Sequence, residues 1–421
     1  MSFQTGLSGL AASSRSLDVI GNNIANANTV GMKSSRAEFA DIVASSLGAG
    51  GGNQAGIGVS VATVSQQFSQ GGINITGNNL DVAINGGGFF QQSMPDGSFA
   101  YTRSGNFKLD SAGSLVTNSG GKVMGYPVDT QTGLRTSTTL QAMTLPTGAP
   151  IAASATTQIT AEFNLPATAP LAAGVPAVAA SAGPPAVLAQ AATPPTPRST
   201  YGTSLTAFDS QGVQVPVNLY FERVASTTTD NWNVYDVASG GTPLFQLQFD
   251  PSGKLTAPTT SPTLTIPTPS AVTPSIVTTL DVSKVTQFGT GFAVSDLTQN
   301  GYTAGELTAV NIGESGAITA TYSNGKSQIA GQLALVNFRN VQGLSPTGGN
   351  NWIESAGSGQ PVFGVAGEGK FGALRSGALE ESNVDLTAEL VNMMTAQRAY
   401  QANAQTIKTQ DQILSTLVNL R

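Results

Sequence analysis

Side chains able to do covalent or acid–base chemistry are scarce in this sequence. Its 421 residues include no cysteine and no histidine, which removes thiol nucleophiles, disulfides, imidazole bases and the usual zinc ligand sets. A Ser–Lys pair or two opposed carboxylates would remain as catalytic devices. The conspicuous carboxylate pair, Glu380-Glu381, is adjacent in the chain and reads as a solvated entry to a helix. No catalytic residue is assigned, and an enzyme is not expected. Gly50-Gly51-Gly52-Asn53-Gln54-Ala55 fits the loose glycine fingerprint of a dinucleotide-binding loop. No strand pattern precedes it and no helix follows, so neither a cofactor nor a metal is expected. Trp232, Tyr220 and Phe221 could stack on a sugar but read as the core of a β domain. Lys and Arg total 18 against 24 Asp and Glu, a net charge of −6 without any basic cluster, which argues against nucleic acid as a partner. No apolar run is long enough to enter a membrane, and the N-terminus lacks the basic-then-apolar pattern of a cleavable signal peptide.

With chemistry set aside, the informative elements are the two ends of the chain. In the last 37 residues Leu386, Met393, Tyr400, Ile407 and Leu414 recur every seven positions, and Leu390, Gln397, Ala404, Asp411 and Val418 form a second row offset by four. That spacing predicts a coiled-coil-like seam on a long helix, with Asp385 as its N-cap and Glu389 near the positive end of the helix dipole. Near the start, Phe3, Leu10, Leu17 and Ile24 form one heptad row, and Leu7, Ser14 and Gly21 the other. The spacing predicts terminal helices over 1–28 and 385–421 that pair with each other and with those of neighbouring copies.

Between them the chain turns to strands and glycine. The length corresponds to about three domains. Only 10% of residues are charged and 49 are glycine. Segments 29–72 and 364–384 read as Gly-rich straps, with Gly50, Gly51, Gly52, Gly56 and Gly58 in the first and Gly367, Gly369 and Gly372 in the second. Alternating apolar residues and turn motifs over 73–145 and 281–363 predict one antiparallel β domain made of two pieces. Residues 146–280 read as an inserted second β domain, and Ala/Pro-rich 165–197 as an exposed arm. The fold class is mixed α and β, mainly β, with nested topology: terminal helices innermost, two β-rich domains outside.

The stretch Gly21–Lys33, GNNIANANTVGMK, suits a helix end that needs left-handed residues. It also resembles the signature of the flagellar rod and hook axial proteins, carried here by Asn22, Asn23, Ile24, Ala25, Asn26, Thr29, Gly31 and Lys33. QGGINITGNNLDVAINGGGFFQ (70–91), YTRSGNFKLDSAGSLVTNSGGKVMGY (101–126) and the ending from Ser376 are similar to further blocks of that family. The resemblance covers about 1–145 and 281–421. It implies a structural, non-enzymatic subunit, and the length and large middle insertion point to the hook type: a curved, bendable tube that acts as a universal joint, transmits torque from rod to filament and encloses an export channel. The partners it implies are further copies of itself, the distal rod protein, the hook cap, the hook–filament junction protein and the flagellar type III export apparatus. The location it implies is the extracellular flagellum, reached without a cleavable leader.

Phe39 and Val43 match the Phe-x-x-x-hydrophobic element used at the export gate by related subunits, but so short a pattern arises often by chance, and one helical turn packing Phe39 on Val43 is the favoured reading. The neutral polar face of the last helix, Gln405 and Gln412 included, is expected to line the channel. Two heptad-bearing ends leave apolar surface for heterologous, non-closing stacking into a filament. A distal rod subunit and a secreted β-rich adhesin or glycan-binding protein are the alternatives.

Overall fold

The structure, a computed structural model, describes residues 2–43, 56–130, 132–147, 150–174, 176, 178, 191–226, 229–269 and 273–419. Two helices, α1 (Ser2–Ala25) and α2 (Leu386–Asn419), come from the opposite ends of the sequence. The 34 residues of α2 contain neither Gly nor Pro. Asp385 caps it, its Oδ1 accepting from the amides of Thr387 (2.9 Å) and Ala388 (3.1 Å). After α1 the chain turns through Asn26–Thr29 to Gly31, whose φ of +69° lies in the left-handed region that favours glycine.

The helices pack antiparallel, with Gly6 against Ile407, Gly9 against Asn403 and Asn23 against Glu389. The seam differs from the expected one. Small residues face α2: Gly6 and Ala12 are buried, and Gly9, Ser13 and Ser16 are half-buried, whereas Phe3 and Leu7 of the expected rows are exposed and Leu10, Leu17 and Ile24 only half-covered. On α2 the covered stripe is Glu389, Met393, Ala396, Asn403, Ala404, Ile407 and Gln410, while Leu386, Leu390, Tyr400 and Leu414 are exposed. Of the expected second row Ala404 is half-covered, whereas Leu390, Gln397 and Asp411 are exposed, and the positions three residues after Met393 and Ile407, Ala396 and Gln410, are covered instead. Close approach of backbones at glycine decided the register, in place of matching large apolar residues.

The first expected strap is a β-hairpin. Strands β1 (Ser35–Val43) and β2 (Gly56–Gln66) pair antiparallel with a bulge between Glu38 and Phe39. Phe39 therefore lies opposite Val61 in a strand, not on a helical turn, and is exposed; the Val43 side chain, like Gly50, Gly51 and Gly52, lies outside the described residues. Gly58 is a packing position: a Cβ there would strike Ser8 of α1, and its φ of +144° favours glycine. The second expected strap is also sheet. Val362–Val365 pairs with Ser327–Asn337, Ala373–Ser376 with Val82–Asn85, and Ala378–Glu380 with Ile73–Ile75. A Cβ on Gly372 would come 2.5 Å from the Asn85 carbonyl oxygen, so close backbone approach explains this glycine better than flexibility does. Gly367 and Gly369, at φ +80° and +61°, turn the chain between two of these strands.

One compact unit comprises Met1–Ala149 with Leu307–Arg421. Its main sheet runs, in spatial order, Leu307–Ile312, Ala317–Tyr322, Ser327–Asn337, Lys122–Tyr126, Phe89–Ser93, Phe99–Thr102, Asn351–Ile353 and Ser345–Gly348. One apolar cluster includes Val82, Ile84, Phe90, Leu115, Leu333 and Leu374, and an aromatic one joins Phe89, Tyr101, Phe338 and Trp352.

The other unit, Pro150–Glu306, holds two five-stranded sheets around Phe163, Phe221, Trp232, Leu247 and Phe249. The expected return to the first β domain at Asp281 comes later. Strand Gln158–Pro166 alternates buried and half-buried residues, and it takes Ala293–Gln299 as one neighbour and Thr286–Phe288 as another, so the chain stays in this unit to Glu306. The start of the expected exposed arm is also packed: Leu165 and Pro166 end that strand, Ala169 is buried, and Arg223 Nη1 donates to the Ala169 carbonyl (2.6 Å). Residues 175, 177 and 179–190 of that arm lie outside the described residues.

Candidate functional site

Where the N-terminal signature meets the C-terminal segment, three charged side chains are buried together. Lys33 Nζ donates to Glu380 Oε1 (2.6 Å) and to the Ser69 carbonyl (2.7 Å). Arg103 Nη1 donates to Glu380 Oε2 (3.2 Å) and to the Gly86 carbonyl (2.9 Å). Lys33 and Glu380 are fully buried and Arg103 is 5% exposed. Glu380 is thus no solvated helix entry; it is the counter-charge to two buried cations. The backbone closes the same joint, with the Gly71 amide donating to Glu380 Oε1 (3.0 Å) and the Gly31 amide to the Glu380 carbonyl (2.8 Å). Burial lowers the Lys33 pKa, with Glu380 opposing and Arg103 reinforcing the shift; burial likewise lowers that of Arg103. Two cations on one carboxylate leave a positive excess, which the two carbonyls and the face of Phe89, 5.2 Å from Arg103, offset.

A second joint fixes the helix pair to the hairpin. Buried Asn23 accepts from the Ser35 amide through Oδ1 (2.9 Å) and donates through Nδ2 to the Ser35 carbonyl (2.8 Å) and to Glu389 Oε1 (3.3 Å). Asn383 does the same from the other chain end, accepting from the Ser34 amide (2.7 Å) and donating to the Gln67 carbonyl (2.7 Å). The signature positions thus have assignable work: Asn23 and Lys33 make tertiary bonds, Asn26 donates to the Asn22 carbonyl (3.0 Å), and Thr29 donates to Asn26 Oδ1 (3.3 Å). A Cβ on Gly31 would lie 2.7 Å from the Ser104 amide nitrogen.

Outside these joints the helix pair is open. Leu7, Leu386, Leu390, Val391 and Met394 are apolar side chains about half exposed among the described residues, and Gln405 and Gln412 are exposed. No group of three or more acidic residues that could hold a metal ion occurs among the described residues.

Four family models match in chain order. They are the flagella basal body rod protein over residues 3–33, the flagellar hook protein FlgE/F/G D1 domain over 83–162, the flagellar basal body protein FlaE D2 domain over 179–302, and the flagellar basal body rod FlgEFG protein C-terminal region over 375–420. Flagellar hook protein FlgE of Escherichia coli (strain K12) is 40% identical over 434 residues, covering 100% of both chains. The chain belongs to the flagellar hook protein FlgE family.

Other members include that of Salmonella typhimurium, 39% identical with 100% of each chain covered, and that of Treponema pallidum, 32% identical over 99% of this chain and 98% of the other. The crystal structure of Helicobacter pylori flagellar hook protein FlgE2 matches in fold, with a TM-score of 0.53 at 16% identity, covering 73% of this chain and 100% of that one. The hook-protein likeness runs through the middle of the chain as well, beyond the terminal blocks quoted from the sequence. Lys33, a signature residue, and Glu380 fall inside the two terminal matches, 3–33 and 375–420. Arg103 and Glu380 were not singled out as site residues from sequence, because nothing local marks either as buried.

Proposed function

We infer that the chain is a structural subunit of a flagellar hook and that it polymerises helically through α1 and α2 into a curved tube. The tube bends as a universal joint, carries torque from rod to filament, and encloses a channel lined by the polar face that bears Gln405 and Gln412. The uncovered apolar side chains of the helix pair carry this reading. Phe3, Leu7, Leu386, Leu390, Val391 and Met394 are each between 44% and 53% exposed on a helix pair whose own seam is made by other residues, Gly6 against Ile407 and Gly9 against Asn403 among them. Such a surface calls for a further partner, and a repeated heterologous contact builds a filament. Further copies of the chain supply that partner. At the ends of the tube the distal rod protein, the hook cap and the hook–filament junction protein take their place. The subunit reaches its extracellular position through the flagellar type III export apparatus, and Phe39 is the exposed candidate for contact with the export gate.

The test is electron microscopy of purified full-length protein concentrated in a precipitating salt. Wild type is expected to form curved tubes, and Leu390→Glu with Met394→Glu to remain monomeric while keeping its circular dichroism. Tubes from the double variant would remove the helix face from assembly.

A further inference from the structure

Two adjacent methionines of α2 sit in different surroundings. Met393 lies in the half-covered stripe, whereas Met394, about 100° further round the helix, is 53% exposed. Among the described residues Met32, Met124 and Met143 are buried and Met94 half-buried, which leaves Met394 as the exposed thioether. Leu386, Leu390 and Val391 precede it by eight, four and three positions, so the four share one apolar stripe, each between 44% and 53% exposed. Gln397 and Arg398, three and four positions on, are also exposed and end the stripe with amide and guanidinium donors.

A thioether is an apolar side chain that a mild two-electron oxidant turns polar. With hydrogen peroxide, a sulfur lone pair attacks one peroxide oxygen. The S–O bond forms as the O–O bond breaks, and the hydroxide released takes the proton from the sulfur-bound oxygen and leaves as water. Sulfur loses two electrons and the peroxide gains them. The sulfoxide oxygen is a hydrogen-bond acceptor. On an exposed helix face, with water around it and Gln397 and Arg398 one turn on, it keeps its partners. Buried against an apolar surface it loses them, and an unpaired polar group there is costly.

We propose that Met394 is a modification site of the unassembled subunit, at which a peroxide-class oxidant switches off polymerisation. The sulfoxide leaves the fold of the chain intact and removes the subunit from the pool that can assemble. Oxidised chains are thereby kept out of the tube, and the tube in turn shields Met394 from the same oxidant. The switch rests on the polymerisation through α1 and α2 proposed above, and it adds a chemical condition on which that polymerisation depends.

The chain contains no cysteine, so thiols do not compete for the oxidant. Full-length protein is treated with hydrogen peroxide before or after tubes form, and the added oxygen is located by peptide mass spectrometry. In the unassembled chain Met394 is expected to react about tenfold faster than Met124 or Met143, and in tubes as slowly as they do. Oxidised protein should keep its circular dichroism yet need about tenfold more chain to form tubes, the factor expected when one half-exposed apolar side chain no longer gains from burial. Reduction by the two methionine sulfoxide reductases, one for each epimer, should restore assembly. Met394→Leu, which nearly conserves apolar volume, should form tubes even after peroxide. Met393→Leu should stay sensitive, and Met394→Gln should assemble poorly without any oxidant. Faster reaction at another methionine, equal reaction of Met394 in tubes and free chain, or a Met394→Leu chain as sensitive as wild type would overturn the switch and leave the polymer standing. If untreated wild type forms no tubes, the polymer falls and the switch with it.

Discussion

Replacing Glu380 by Gln leaves Lys33 and Arg103 buried with no counter-charge, a more severe change than losing a surface ion pair. Breaking a buried pair by removing one partner costs about 3–5 kcal/mol, most of it from the stranded charge. Glu380→Gln should therefore unfold the unit that contains Trp352 at much lower urea, while the unit that contains Trp232 unfolds at its usual midpoint. Single-tryptophan variants read the two separately, Trp232→Phe leaving Trp352 and the reverse. Equal midpoints for Glu380→Gln and its parent in the Trp352 signal would show that the cluster contributes nothing. Of the three charged residues of this site only Lys33 was legible beforehand. Lys33 falls in a motif that draws the eye, but Glu380 lies beside Glu381 in a polar stretch, where solvation is the natural reading. Its burial comes from a partner 347 residues away. No local pattern encodes that.

At the scale of elements, the existence of both terminal helices and the alternation of most strands followed from periodicity and caps, because those are local properties. The seam between the helices did not, because it depends on what faces what. The large residues of the heptad rows were the obvious choice, yet α1 meets α2 through Gly6, Gly9 and Ser13, and of those large residues Met393 and Ile407 are covered while Phe3, Leu7, Leu386, Leu390, Tyr400 and Leu414 are exposed. Likewise two glycines of the expected straps, Gly58 and Gly372, are positions where a Cβ would strike a neighbour, a property visible only once the neighbour is placed. Two glycines of α1 make the distinction measurable. A Cβ at Gly21 meets nothing within 4 Å, whereas at Gly9 it lies 3.0 Å from Asn403 Nδ2. Gly21→Ala should stabilise α1 by about 0.5–1 kcal/mol through backbone entropy. Gly9→Leu should wedge the helices apart at a cost of about 1–3 kcal/mol despite the same propensity gain. Hydrogen exchange at α1 amides should slow for the first and quicken for the second. The same direction of change for both would mean that α1 and α2 do not meet at Gly9.

For the whole molecule, the decisive property is that one unit is built from a single stretch of chain and the other from two. Pro150–Glu306 is contiguous and contains its own core around Trp232, so its contacts are complete once those residues are present. The unit around Trp352 draws Val82–Asn85 and Ile73–Ile75 from before the insertion and pairs them with Ala373–Ser376 and Ala378–Glu380 from after it. Glu380 then neutralises cations contributed by the early half. Before the last fifty or so residues arrive, that half holds buried-type cations without their carboxylate and strands with unpaired edges, a state that water solvates better than a fold can. A chain ending at Gly372 should therefore show a cooperative urea transition at Trp232 close to that of the full chain, and no native transition at Trp352. Retention of a sharp Trp352 transition in that truncated chain would mean the early half folds without its closing segment, and that the ionic joint is formed after folding instead of being required for it.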